Sequence, residues 1–222
     1  MDVLGFLKIR TEFIRRFHET ATEPFGETKR KIEAGQAPFE AHPLYDDPEP
    51  PFLEEWSEAD ISLQILGRTC LSMLAGTLKL YLQAWQEELG IRVETKELGK
   101  LIRKNGLIYG YQKILHFSLE DCPADLPLIE QVVLARNRDQ HPDAIYTMHV
   151  HHTLGDLKKY AKPFFISEYE WTMHSDQGMT ERIWIQPAVS VSRNMLFEAI
   201  KEVENLAEWL EKCLLEAKWN AV

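Results

Sequence analysis

Three residues near the middle of the chain carry side chains that could cut RNA. In "LARNRDQHPD", residues 134–143, Arg136 is followed directly by Asn137 and five positions later by His141. Attack of a ribose 2′-OH on the adjacent phosphate needs a proton acceptor, a proton donor and positive charge at the transition state. Histidine exchanges protons near neutral pH, and arginine stays charged and pairs with phosphate oxygens. The asparagine could position the histidine or a phosphate oxygen by hydrogen bonding.

The helix that carries these residues limits how they can meet. An apolar pattern predicts a helix over residues 125–141. On an ideal helix Asn137 lies one turn before His141, whereas Arg136 lies about 140° away from His141. One copy of the chain therefore does not easily aim Arg136 and His141 at one phosphate. Two-fold pairing of copies, or a distortion at the bond between His141 and Pro142, would let the two side chains converge.

This pattern resembles that of the HEPN superfamily of helical bundles, whose ribonucleases carry R-x4-6-H, most often with a polar residue after the arginine. The matching residues are Arg136, Asn137 and His141. The resemblance implies a metal-independent endoribonuclease without cofactors. It also implies a site across a homodimer, to which each subunit gives one arginine and one histidine. A toxin or host-defence effector, with RNA as substrate and an antitoxin or regulatory protein as partner, would fit.

Two other interpretations of the motif remain open. An arginine, an asparagine and a histidine near a helix end also suit a solvated helix terminus. A HEPN-like protein could equally lack catalysis and act as a binding or regulatory subunit. The formal net charge of −10 supports this second interpretation, because phosphate binding usually leaves a basic footprint, whereas an acidic body more readily meets a basic protein.

Further residues are candidates for binding substrate. Arg138 lies inside the motif, and "MHVHH" places His149 and His151 on one face of an extended segment, with His152 beside them. These histidines could line an RNA cleft or bind a transition metal. No Asp, Glu or Cys completes a known ligand spacing, so no metal site is predicted.

The most basic and aromatic segment is "KLIRKNGLIYGYQK", residues 100–113. Tyr109 could stack on a base and Lys104 could hold a phosphate. The alternative is a joint between two helices with its tyrosines in the core.

Hydrophobic periodicity predicts a mainly α fold, a bundle of five to six helices in a single domain over residues 1–222. The predicted helices cover residues 3–17, 57–89, 96–104, 107–117, 125–141 and 192–218. Residues 35–52, rich in Pro and acidic residues, are expected to form a surface loop. Alternating residues around "SDQG" predict a β-hairpin insertion over 163–187 before the last helix. The seam of that helix should close the bundle.

Composition narrows the class of protein. A hydrophobic fraction of 45% with 27% charged residues is ordinary for a folded globular protein. The three cysteines are far apart, without metal-ligand spacing, which fits a reducing cytoplasm. The apolar stretch at the N-terminus is too short and too polar at its flanks for a signal peptide. The sequence has no apolar run long enough to predict a membrane span.

Overall fold

The computed structural model describes residues 1–40, 48–141, 147–176 and 186–220. The prediction of a mainly α fold is confirmed, although this part of the chain forms eight helices rather than five or six. Its only β pairing is an isolated antiparallel bridge between His151 and Ala188. The helices are α1 Val3–Glu33, α2 Leu53–Glu88, α3 Thr95–Asn105, α4 Leu107–Leu115, α5 Leu126–Gln140, α6 Leu154–Lys159, α7 Glu168–Asp176 and α8 Arg193–Asn220.

Helix α2 is the central element of the bundle. It packs against α1, α4, α5 and α8 and buries an apolar side that includes Leu71, Leu78 and Trp85. It begins at Leu53, four residues before the predicted N-cap Ser57, so the capping interpretation of Ser57 was wrong. By length and composition alone α2 could cross a membrane, but its packing against four helices is that of a core helix.

Helix α1 is twice as long as the sequence pattern predicted, and only part of its apolar surface faces the core. It continues through Pro24 to Glu33 and runs antiparallel to α2, with Met1 near Glu88 and Lys29 near Asp60. Val3, Leu7 and Ile14 are buried in the core, as expected, whereas Phe6 and Phe13 from the same predicted face are exposed.

Helix α8 confirms the predicted C-terminal seam. The six apolar residues of this seam are 0–1% exposed: Leu196, Ile200, Val203, Leu206, Leu210 and Leu214. They pack against α1, α2 and α5, so α8 closes the bundle. The short helices α3 and α4 and the motif helix α5 also lie within two residues of their predicted bounds. Residues 35–40 and 48–52 lie outside helices, as expected of the predicted loop, and residues 41–47 are outside the described part.

The predicted β-hairpin over 163–187 is wrong in the part that the structure describes. Its first arm contains α7, and the backbone N–H of Glu170 donates to the hydroxyl of Ser167, as at a helix start. Tyr169 and Met173 are exposed, so the alternation of apolar residues does not mark a buried strand face. Residues 177–185 lie outside the described residues. The following segment pairs instead with 150–152, where Val189 N–H donates to the carbonyl of Val150.

Candidate functional site

The two ends of helix α5 position the motif residues. The carboxylate of Asp125 accepts a hydrogen bond from the backbone N–H of Leu128 at 2.9 Å, which satisfies one of the free N–H groups at a helix start. The helix ends at His141, whose backbone N–H donates to the carbonyl of Arg138 at 3.2 Å. Between these ends the helix buries one apolar side and leaves the motif on its flank and outer surface.

Arg136 and Asn137 form a linked pair on the half-buried flank of the helix. Nη1 of Arg136 donates a hydrogen bond to Oδ1 of Asn137 at 3.0 Å. Because the amide oxygen is engaged, Asn137 presents its NH2 group, a donor, to its surroundings. The pair therefore offers a guanidinium and an amide that both donate, which suits a phosphate and not a cation.

His141 stands apart from this pair. Its side chain is exposed at the C-cap of α5, where the backbone has left the helical conformation with φ −130° and ψ 66°. Within the described residues no hydrogen bond joins His141 to Arg136 or to Asn137. Within one copy the described structure thus shows no direct contact between the imidazole and the other two groups. Pro142, where a distortion of this helix end was expected, lies outside the described residues.

Arg138, expected to bind substrate, is tied into the fold. Its guanidinium contacts Oδ2 of Asp156 at 3.1 Å, Oδ1 of Asp156 at 3.3 Å and the hydroxyl of Thr153 at 3.1 Å. Thr153 and Asp156 also form the capping box that starts α6. The contact fastens α6 to α5 and leaves Arg138 less available for a phosphate than its sequence position suggested.

The electrostatics of Asp156 reflect this contact. Burial of its carboxyl opposes ionisation, but hydrogen bonds from Arg138 and from the side chain and backbone of Thr153 outweigh burial. The pKa of Asp156 therefore lies below its ordinary value. The carboxylate and Arg138 form a partly buried ion pair at neutral pH.

Asp139 is a structural residue that the motif pattern does not include. It lies on the buried side of α5, where its carboxylate accepts hydrogen bonds from Nε of Arg68 at 3.2 Å and from the hydroxyl of Ser72 at 3.1 Å. Arg68 is itself buried and also donates to the carbonyl of Met148 at 2.9 Å. Asp139 follows the apolar Val132 and Ala135 at helical spacing, which places its charge on the core side of the helix. The sequence alone could therefore have identified Asp139 as a structural residue.

The histidine segment divides into surface and core residues. The rings of His149 and His151 lie 6.4 Å apart, with His149 exposed and His151 half-buried. The proximity expected of these two residues is present. Among the described residues no group of three or more His, Cys, Asp or Glu could hold a metal ion.

His152, in contrast, is a core residue. Its Nε2 lies 2.9 Å from the carbonyl oxygen of Phe165, so this nitrogen carries the proton and donates to the carbonyl. Burial lowers the pKa of His152, and the imidazole is neutral at pH 7. It therefore does not belong with His149 and His151 as a substrate or metal ligand.

Tyr109 and Lys104 lie beside the other half of the motif helix. Tyr109 is partly exposed and lines a small pocket with Leu126 and Glu130. Glu130 is bonded to Nζ of Lys159 at 2.5 Å and to the hydroxyl of Tyr160 at 2.8 Å. Because Glu130 precedes Asn137 by seven residues, the pocket is about 10 Å from Asn137 along the helix axis. Lys104 is exposed at the end of α3. The structure does not join these residues and the motif into one cluster.

The chain matches no family model, and no curated protein or solved structure is significantly similar to it.

Proposed function

We propose that this protein is a metal-independent endoribonuclease of HEPN type. It cleaves RNA by 2′-OH attack, in the cytoplasm, at a site to which two copies each contribute Arg136 and His141. A toxin or defence effector restrained by an antitoxin or regulatory protein is the role that this activity suggests.

The observation that carries the proposal is a contrast within six consecutive residues. Arg138 and Asp139 are engaged in ion pairs that hold the bundle together. In the described residues, Arg136 and Asn137 bond only to each other through their side chains, and the ring of His141 is exposed. Among the described residues, a half-buried cation, a half-buried amide donor and an accessible imidazole thus stand at one helix end without side-chain bonds to the rest of the bundle. These are the groups that cleavage of a phosphodiester without metal requires.

Each residue then has a defined role. Arg136, held by Asn137, stabilises the charge on the pentacoordinate phosphate, and the free NH2 of Asn137 donates to a phosphate oxygen. The two histidines of a dimer supply the base that takes the 2′-OH proton and the acid that protonates the leaving 5′-oxygen. The described residues show no hydrogen bond between Arg136 and His141 within one copy, and this supports a shared site, because the partner's helix can present the missing group.

The test is cleavage of structured and single-stranded RNA in EDTA by the wild-type protein, Arg136→Ala and His141→Ala. We expect at least about a hundredfold loss of cleavage for each variant, as for removal of a charge-stabilising or proton-transferring group. Arg16→Ala removes an exposed arginine of α1 and is the matched control. A mixed dimer of wild-type and His141→Ala subunits keeps only one of the two histidines, so it should cleave far more slowly than the wild-type dimer if two copies share a site. A folded wild-type dimer that leaves every RNA intact would contradict the proposal.

A second candidate is a non-catalytic HEPN-like binding or regulatory protein. Two observations favour it: the net charge of −10, and the large apolar surface that α1 leaves exposed. Under this alternative the purified protein would leave RNA intact and bind a basic protein partner with an affinity that falls as salt rises.

A further inference from the structure

Helices α1 and α2 leave a row of large apolar side chains exposed on the outside of the bundle. Phe6, Ile9 and Phe13 follow each other along α1 at helical spacing, and Leu80 stands opposite on α2. Each of these side chains is between 48% and 67% exposed. We call these four residues the apolar stripe. Scattered apolar residues are normal on a surface, but a contiguous row along two helices usually marks an interaction site.

A groove runs along the stripe between the two helices. Its volume is about 570 Å³, and it is lined by the stripe together with Arg10 and Ile14 of α1 and Met73, Gly76 and Thr77 of α2. A Cβ atom added at Gly76 would meet no other atom within 4 Å, so the groove is open at that position. The same surface therefore has projecting aromatic and aliphatic side chains and a hollow that can receive such a side chain.

The exposed area reaches the lower limit of the area that a specific pair of copies buries. Side chains of this size, half exposed, each leave on the order of 100 Å² of apolar surface. With the walls of the groove the face comes to about 500 Å² a copy, at the upper end of what monomeric proteins expose. Two such faces bury about 1,000 Å², and their polar rims add to this, which reaches the size of biological interfaces.

We propose that the apolar stripe binds the same stripe of a second copy, forming a two-fold dimer through α1 and α2. A two-fold interface requires each surface to supply both the projecting and the receiving parts, and the stripe and its groove do so. The antiparallel pair of α1 and α2 would join its copy in a four-helix arrangement, in which apolar positions of all four helices meet.

This interface stands independently of RNA cleavage. On α2 its wall residue Met73 directly follows Ser72, which bonds Asp139 of α5. Dimerisation without cleavage would support the stripe and contradict the ribonuclease, whereas cleavage by a dimer that persists in both stripe variants would support the ribonuclease and contradict the stripe.

The experiment measures the mass of the full chain in solution by sedimentation equilibrium or light scattering, at concentrations up to about 100 µM. The wild type should have twice the monomer mass of 25.8 kDa. Ile9→Glu places a charge in the stripe, and Gly76→Phe fills the groove from within. Each should raise the dimer dissociation constant at least about tenfold. Both positions are outside the packed core, so circular dichroism and thermal melting should show folded proteins.

Tyr169→Glu is the control, since Tyr169 is 75% exposed on α7, away from the stripe. It should remain a dimer. A wild type that is monomeric throughout, or a dimer that persists in both stripe variants, would overturn the proposal. Binding of the monomer to phospholipid vesicles, lost in Ile9→Glu, would also overturn it by showing that the stripe meets a membrane surface.

Discussion

The carboxylate of Asp139 lies 3.2 Å from Nε of the buried Arg68, and this ion pair holds the last turn of the motif helix against the central helix. The preceding residue, Arg138, holds Asp156 on another side of the same turn. Two consecutive residues thus connect α5 to two different elements. Together these contacts determine how Arg136, Asn137 and His141 are presented at the surface.

Arg68→Met should destabilise the protein by about 2–3 kcal/mol, because it leaves the carboxylate of Asp139 without its charged partner in a largely buried place. Urea unfolding followed by circular dichroism measures this loss. RNA cleavage should fall as well, although the motif residues are unchanged, since the end of α5 loses its attachment.

The control for Arg68→Met is Arg16→Met, which breaks an exposed pair with Glu12 and should cost less than about 0.5 kcal/mol. The double variant Arg68→Met with Asp139→Leu should recover much of the loss, because no unpaired charge remains. Equal stability of Arg68→Met and the wild type would show that the ion pair does not contribute to the free energy of unfolding.

Stability should fall in acid through Asp156. Its folded-state pKa is lowered, so the unfolded chain takes up the proton first as the pH falls. The stabilisation is present above the unfolded value near 4 and is lost as the pH falls from about 5 through the folded-state pKa. Arg138→Met removes the main partner of Asp156, so the free energy of unfolding should fall less steeply as the pH decreases. The same pH dependence in the variant and the wild type between about pH 3 and 6 would contradict the assignment.

A second pH dependence should arise from the buried histidines. Burial lowers the pKa of His152 and of His18 below the ordinary 6.5. The unfolded chain therefore binds protons near pH 6.5 that the folded chain does not, and stability falls as the pH drops from about 7 to the folded-state pKa values. His152→Gln and His18→Gln should each reduce the slope of unfolding free energy against pH in this window. A slope that survives in the double variant would have to come from other groups.

Leu206→Asp should cost about 4 kcal/mol or more, since Leu206 is fully buried in the α8 seam and the substitution places an unpaired carboxylate there. RNA cleavage should disappear together with the fold. Leu215→Asp, on the same helix but 38% exposed, is the control and should melt near the wild type. His141→Ala should likewise leave the melting temperature nearly unchanged while it removes activity. A wild-type melting curve for Leu206→Asp would show that the seam is not in the core.

Periodicity alone was enough to predict the mainly α fold and the seam of α8, because a helix that buries one side must repeat apolar residues every three or four positions. The same local rule placed α3, α4 and α5 within two residues. It also put Arg136, Asn137 and His141 at the end of one helix, where their types and spacing selected them. On an ideal helix Arg136 and His141 would stand about 140° apart, but the helix ends before His141, so the direction of its side chain depends on the C-cap backbone.

Tertiary structure decided what depends on partners from distant parts of the chain. The alternation around Trp171 looked like a strand, but a strand needs a neighbouring strand, and the first arm instead contains α7. Arg138 and Asp139 resembled Arg136 as surface charges until Asp156 and Arg68 were placed beside them. Periodicity likewise grouped Phe6 and Phe13 with the core positions of α1. Only the placement of α2 and α8 shows which apolar residues are covered and which are left for another molecule.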